Sequence, residues 1–323
     1  MAFIDVFNGD ADGLCALVQL RNAQPEESTL VTGVKRDISL LDRVSAQSGD
    51  QITVLDVSLD KNREGLAAVL QAGAEVVYVD HHFAGEIPEH VALKTHINLA
   101  ADVCTSLLVN GILKGQFAEW AVVGAFGDNL SDSARAVAKP LGLSESELQQ
   151  LENLGIYLNY NGYGASLEDL HFDPAELYRH LVQFASPRDF IINAADTFVK
   201  LETGYHNDMH AAAQLPALSS DDSAAVFMLP NERWARRVSG VYSNDLANDN
   251  PDRAHAVLTE KSNGNYLVSI RAPLNNKRGA DEFCRQFPTG GGRAAAAGIN
   301  DLTRSSLDTF TRSFQEFYRS LAN

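Results

Sequence analysis

The segment VVYVDHHFAG, residues 76–85, runs four strand-type residues straight into Asp80, His81 and His82. A strand that only fills a core has no use for a carboxylate and two imidazoles side by side. Other acids fall in comparable places. Asp10 and Asp12 sit in the Gly-flanked NGDADG, after the apolar run FIDVF (3–7). Asp56 lies in LDVS, closing ITVLDV (52–57). Asp128 follows an apolar, helix-like segment in WAVVGAFGDNLSD. A single carboxylate after a strand commonly caps the next helix. The whole set, with two adjacent histidines, points instead to a metal centre. Carboxylate oxygen with imidazole nitrogen suits Mn²⁺. Cys15, Cys104 and Cys284 are widely spaced and form no CxxC pair, so neither a structural zinc site nor a disulfide framework is expected. A carboxylate bridging two cations about 3.5–4 Å apart is an arrangement that cleaves phosphoesters. It makes a nucleophile from water, without serine or cysteine.

The elements that must position these residues alternate. Apolar, β-rich runs occur at 3–7, 29–34, 52–57 and 75–80. Helix-like segments lie between them: GLCALVQLRNA, ISLLDRVSAQ (38–47) and NREGLAAVLQAG. In the last, Leu66, Val69 and Leu70 share one helical face and Gly73 stands where a helix would stop. Strands alternating with helices imply a mostly parallel sheet in an α/β fold. Ligands of such sheets bind beyond the carboxyl ends of the strands, which is where the acids fall. The polar, aromatic LNYNGYG (158–164) reads as a loop, with Tyr160 and Tyr163 more suited to loop packing than to stacking on a base. His206 and His210, at i,i+4 in GYHNDMH, have no carboxylate set nearby and read as surface residues. LPALSSDDSAAV (215–226) reads as a domain boundary. Leu307, Phe310, Phe314, Phe317 and Leu321 repeat at helical spacing, as the core face of a terminal helix would.

The chain has 323 residues, 45% apolar and 21% charged, with a net charge of −16. This is an ordinary soluble composition and disfavours a general nucleic-acid coat. Residues 226–323 hold 13 Lys and Arg against 10 Asp and Glu. Taken from totals of 26 and 42, that leaves 13 against 32 in residues 1–225. The two parts therefore carry +3 and −19. The acidic part could hold cations and the Arg-rich part an anion. The start MAFIDVFNGDADG has no basic region before an apolar run, and no stretch reaches the length of a membrane span, so a cytoplasmic location is expected.

GDADG, the isolated Asp56, VDHH and GDN stand in the order and spacing of the DHH phosphoesterase motifs, and the chain resembles that family. VSIRAP (268–273) and TGGGRAAAAGI (289–299) resemble the arginine strand and Gly-rich motif of its DHH-associated C-terminal domain. The resemblance implies a dinuclear Mn²⁺ centre, with Mg²⁺ as the alternative ion. Asp10 and Asp56 would take one cation; Asp12, Asp56, His81 and Asp128 would take the other. His82 would face the scissile phosphate or the nucleophilic water, and Asp80 would orient a histidine. Arg271, the amides of Gly290, Gly291 and Gly292, and Arg293 would hold a phosphate or nucleotide end. Glycine admits close approach of backbone N–H groups to an anion, and RAAAAG could start a helix whose N-terminus attracts phosphate. Two departures stand out. Val6 and Asn8 occupy positions where family members place a metal-binding His or Asp, and Arg293 replaces the usual His of the Gly-rich motif.

These features predict an α/β protein with a mostly parallel catalytic domain over 1–215. A smaller, mixed-sheet substrate domain would cover 226–323. The expected reaction is metal-dependent hydrolysis of a short nucleotide, such as a 5′-phosphorylated dinucleotide, to mononucleotides. The alternatives are a single-strand exonuclease on longer oligomers, a nucleoside bisphosphate phosphatase, a pyrophosphatase, or a metal-dependent nucleotide sensor without turnover. The partner expected is the short oligonucleotide itself, with no long nucleic-acid track and no membrane; a homodimer is left open.

Overall fold

The structure, a computed structural model, describes residues 1–322. The chain divides into two compact units, 1–203 and 204–323.

In the first unit, strands β1 (Phe3–Phe7), β2 (Ser28–Val31), β3 (Gln51–Leu55), β4 (Glu75–Asp80) and β5 (Leu93–Ile97) form one sheet in the order β2-β1-β3-β4-β5. Every pairing is parallel. The connections that return the chain include α1 (Ala11–Ala23) and α2 (Arg63–Gln71). This order reverses direction between β1 and β3, which opens a crevice at their carboxyl ends. Asp10 follows β1 and Asp56 follows β3, so both stand at that crevice. The segment 38–47 is not a helix beyond one 3₁₀ turn at Leu41–Arg43. Two of its backbone groups are taken by the Asn62 side chain, which donates to Ile38 O at 2.6 Å and accepts from Leu41 N at 3.0 Å. That removes the need for helical hydrogen bonds at those groups while Leu40 and Leu41 fill the core.

The rest of the unit is helical: α3 (Thr105–Ile112), α4 (Ala118–Gly127), α5 (Ser131–Ala138), α6 (Glu145–Gly162), α7 (Pro174–Leu181) and α8 (Pro187–Asn193), with α9 (Ala195–Ala213) running through the division. Every residue of α4 except Glu119 is buried, as expected of a helix apolar on all sides. It packs against α1 and α6. The approach is close because Gly127 and Gly155 carry no side chain. A Cβ on Gly127 would lie 2.3 Å from Ala11 Cβ and 2.8 Å from Gly155 O. Residues 158–162, expected as a loop, are the last turn of α6. Their polar groups are buried rather than solvated: Asn161 Oδ1 accepts from His171 N and Phe172 N, both at 3.1 Å. The Tyr160 hydroxyl meets His171 Nε2 at 2.7 Å, and both Tyr160 and Tyr163 are buried.

The second unit has a mixed sheet of β6 (Ala217–Ser220), β7 (Ala224–Leu229), β8 (Ala254–Glu260), β9 (Tyr266–Arg271), β10 (Gly290–Gly292) and β11 (Ala296–Leu302). Its order is β10-β11-β9-β8-β7-β6, with β7 and β8 the parallel pair. Helices α10 (Arg233–Asp249), α11 (Ala280–Cys284) and α12 (Leu307–Ala322) accompany it. Phe310 and Phe314 of α12 are fully buried and surround Phe283 with Phe317, as the spacing predicts. The stretch 215–226 forms β6 and the start of β7 inside this unit.

RAAAAG does not begin a helix. Gly290–Gly292 and Ala296–Leu302 form an antiparallel hairpin, closed by reciprocal bonds between Arg293 and Ala296 (2.8 and 3.2 Å). Pairing of β11 with β9 on its other side overrides the helical preference of the alanines.

Candidate metal centre

Asp10 ends the turn after β1 as the N-cap of α1, and its Oδ1 accepts from Asp12 N (3.1 Å) and Gly13 N (3.2 Å). Asp12 lies in the first turn of the helix and reaches across the chain. Its Oδ2 and Oδ1 accept from Thr105 N and Ser106 N, each at 2.7 Å, capping α3 from outside. Asp56 sits at φ +59°, a left-handed conformation that aspartate tolerates better than most residues. Thr105 Oγ1 donates to its Oδ1 at 3.2 Å. Asp128 is the C-cap of α4. Asp10, Asp12 and Asp56 are all buried.

His81 converges on the same place. Its Nδ1 lies 2.9 Å from Val103 O. A carbonyl can only accept, so Nδ1 carries the hydrogen. Nε2 then faces Asp56 Oδ1 at 3.4 Å and Asp12 Oδ2 and Asp128 Oδ2 at 3.9 Å each. His82 Nδ1 lies 2.8 Å from Asp80 Oδ1 and 3.7 Å from Asp56 Oδ1. Asp80 is fully buried, whereas the His82 side chain is 41% exposed. Asp56, His81 and His82 each offer a ligand atom, all within 4.8 Å of one another.

The electrostatics follow from burial. Burial raises the Asp56 carboxyl well above its usual range, and the Asp12 and Asp10 charges add to it. Burial likewise raises Asp12, against the opposing charge of His81. For Asp10, burial pushes upward but the Lys35 ammonium outweighs it, and the net shift is down. Burial disfavours the imidazolium of His82, yet its hydrogen bond to Asp80 prevails and its pKa is raised.

Nε2 of His81 and oxygens of Asp12, Asp56 and Asp128 point at one another. Only a proton or a cation satisfies that arrangement. The donor set, oxygen-rich with one imidazole and no thiolate, fits a hard or borderline divalent ion.

The sequence-expected residues of the first unit, Asp10, Asp12, Asp56, Asp80, His81, His82 and Asp128, are thus brought together. Arg271, Gly290, Gly291, Gly292 and Arg293 lie in the second unit and gather at one end of its sheet. Arg271 closes β9 opposite Ala296, beside the turn that bears Arg293. Arg271 Nε donates to Asn244 Oδ1 at 2.7 Å, which fixes the guanidinium; Arg293 is exposed. The three glycines differ. A Cβ on Gly290 would meet Cys284 O at 1.8 Å, and one on Gly292 would meet Ala297 Cα at 2.4 Å, whereas at Gly291 it would meet open space. Packing requires the outer two and leaves the middle one unexplained by the fold.

No family model and no curated protein matches the chain. Solved structures do. The DHH domain of PF0399, from a family of ribosomal proteins, aligns at TM-score 0.62 and 12% identity over 98% of this chain and 86% of that one. The exonuclease RecJ bound to manganese aligns at 0.62 and 16% over 98% and 90%. The chain has the DHH-domain fold. A third DHH-fold structure, the pGpG-specific phosphodiesterase PggH from Vibrio cholerae, aligns at 0.55 and 15% over 97% of each chain. The DHH fold accounts for both the parallel sheet and the separate mixed sheet. Among the described residues, no helix is long and apolar enough to cross a membrane.

Sequence reasoning missed three participants in the centre: Lys35, Thr105 and the Val103 carbonyl. Lys35 carried a faint signal, a cation just past the carboxyl end of β2 at the acidic edge. The other two had none, because a backbone carbonyl and a mid-chain threonine have no distinctive spacing.

Proposed function

We propose that the protein is a metal-dependent phosphodiesterase that hydrolyses short 5′-phosphorylated nucleotides, dinucleotides above all, to mononucleotides. The observation that carries this is the convergence of Asp12, Asp56, His81 and Asp128 beside a half-exposed His82 braced by Asp80. Asp12, Asp56, His81 and Asp128 would hold a divalent cation, with Mn²⁺ the best match, and Asp10 stands beside that set at the same edge of the sheet. Divalent charge there would acidify water and stabilise negative charge developing at phosphorus.

The chain's own groups do the rest. Val103 O fixes the His81 tautomer so that Nε2 presents its lone pair. Asp80 receives the Nδ1 hydrogen of His82, which leaves Nε2 as the atom that gains or loses a proton. The raised pKa keeps a proton there at higher pH, suiting His82 to protonate the leaving oxygen. Burial of the three carboxylates excludes bulk water from their oxygens. In the second unit, Arg271, the Gly291 amide and Arg293 would hold a phosphate or nucleotide end through bidentate guanidinium contacts.

Preference for short substrates rests on charge. Residues 1–225 carry −19, a poor track for a long polyanion, while basic residues concentrate after 226. The pGpG phosphodiesterase among the structural neighbours agrees with this choice. The test is a series of 5′-phosphorylated oligomers from two to about ten nucleotides with Mn²⁺ at fixed salt. We expect kcat/KM to fall steeply beyond two or three nucleotides. A kcat/KM that rises with length would replace this reading with a single-strand exonuclease.

A further inference from the structure

Lys35 follows β2 at the carboxyl edge of the parallel sheet, and its side chain turns into the cluster of acids. Its ammonium contacts Asp10 Oδ2 directly and donates to Asn159 Oδ1 at 2.9 Å. Asn159 is buried, and the Tyr163 ring lies 5.4 Å from the Lys35 nitrogen. The backbone on either side is pinned too: Lys35 N donates to Gly162 O at 2.8 Å, and Asn8 Nδ2 donates to Lys35 O at 3.2 Å. An ammonium whose residue is held from the β1 turn and from the end of α6 is a built feature rather than a wandering surface lysine.

The consequences fall on Asp10. Its Oδ1 accepts two backbone N–H groups and its Oδ2 faces the ammonium. Both oxygens are therefore engaged by donors from this chain. The neighbouring positions offer no replacement ligand. Val6 is apolar and fully buried. Asn8 spends both ends of its amide on the same assembly, its Nδ2 on Lys35 O and its Oδ1 on Asp10 N at 3.2 Å. By contrast, among the described residues no ammonium or guanidinium is paired with the oxygens that Nε2 of His81 faces; His82 Nδ1 stands 3.7 Å from Asp56 Oδ1, and the Lys35 charge is felt at Asp128 without an ion pair. One side of the centre has its positive charge built in, and the other side needs one supplied.

We propose that the Lys35 ammonium takes the place of one of the two cations, so that the centre holds a single divalent ion on Asp12, Asp56, His81 and Asp128. This rests on the metal-centre reading above. Like-charge repulsion from an ammonium at contact distance of Asp10 would oppose a second divalent ion there. Lys35 is then a positioning residue. It fixes Asp10 and contributes a permanent charge beside the ion.

The test counts metal without using turnover. Mn²⁺ bound per chain is measured by equilibrium dialysis with elemental analysis, and the bound ion is examined by EPR. We expect the wild-type protein to bind one Mn²⁺ with an uncoupled, mononuclear signal. Lys35→Met should bind a second ion and show an exchange-coupled signal, whereas Lys35→Arg should stay at one. Asp10→Asn, which keeps a good helix cap, should leave the affinity for the single ion within about threefold. Two ions in the wild-type protein would overturn the inference and leave the metal centre standing. A folded Lys35→Met that still binds one ion, or a tenfold loss of affinity in Asp10→Asn, would also overturn it. No bound ion in the wild-type protein would overturn the metal-centre reading itself, and this inference with it.

Discussion

Gly127→Ala should separate packing from chemistry by a single methyl group. The new Cβ would lie 2.3 Å from Ala11 Cβ and 2.8 Å from Gly155 O. Carbon atoms rest about 3.5–4.0 Å apart, so α4 must withdraw from α1 by at least about 1 Å. Overpacking of this kind costs up to about 3 kcal/mol, and the better helix propensity of alanine returns at most about 1. The net loss of about 2 kcal/mol corresponds to a fall in Tm of roughly 4–8 °C. The displacement also has a functional side. Gly127 precedes Asp128 and Ala11 precedes Asp12, so the gap opens between two carboxylates of the centre. A misplacement of about 1 Å can cost on the order of 10²-fold in rate. Gly111→Ala, in α3, is the control, because its Cβ would meet nothing within 4 Å. The same substitution there should gain about 0.5–1 kcal/mol and leave turnover unchanged. Differential scanning fluorimetry in chelator and a Mn²⁺-dependent turnover assay read both effects. A Gly127→Ala protein with wild-type Tm and turnover would refute the claim that helix contact sets the spacing of the acids.

Further outcomes follow from individual residues. Burial raises the Asp56 carboxyl, so its contribution to stability is complete below the ordinary value of about 3.9 and is lost as pH rises toward the folded value. The metal-free protein should therefore melt lower at pH 7 than at pH 5 on this account; Asp56→Asn, which tolerates φ +59°, should raise its Tm at pH 7 and abolish the Tm gain produced by Mn²⁺, and an undiminished Mn²⁺ gain would contradict the assignment. Turnover of Asp56→Asn should drop by more than about 10²–10³-fold, and retained activity would argue that Asp56 is not at the reacting centre. Asp80→Asn removes the charge behind His82 and should lower kcat about 10–100-fold with little change in KM, while shifting the alkaline limb of the pH profile downward. Arg293→Ala should raise KM at least as clearly as it lowers kcat, and an unchanged KM for this variant and for Arg271→Ala would remove the second unit from substrate recognition.

Much of this architecture was legible from apolar runs that end in acids. FIDVF, ITVLDV and EVVYVD each became a parallel strand, and the acids appeared at one edge because parallel strands share a direction. The all-apolar WAVVGAF became a buried helix that delivers Asp128 where expected. What the sequence hid depends on partners far apart along the chain. Residues 38–47 have helical spacing, but Asn62 takes two of their backbone groups from a distance, and the segment makes no more than one 3₁₀ turn. LNYNGYG looks solvated because its residues are polar, yet those groups bond residues 171 and 172 inside the unit. RAAAAG has the composition of a helix, yet it is a hairpin turn running into β11, because β9 and β10 pair with β11 on either side. Asp12 caps a helix that begins 93 residues later, a relation no local window contains.

The two adjacent histidines answer to heredity in different ways. His81 is oriented by a main-chain carbonyl, Val103 O, which every amino acid provides. No change of codon at position 103 can delete that acceptor; only a rerouting of the chain can. His82 is oriented by the Asp80 side chain, which a single base change can remove. Drift can therefore retune the exposed imidazole while the buried one keeps its tautomer. Descendants of this sequence should diverge first in the proton chemistry of His82, long before they lose the ability to present His81 to a metal.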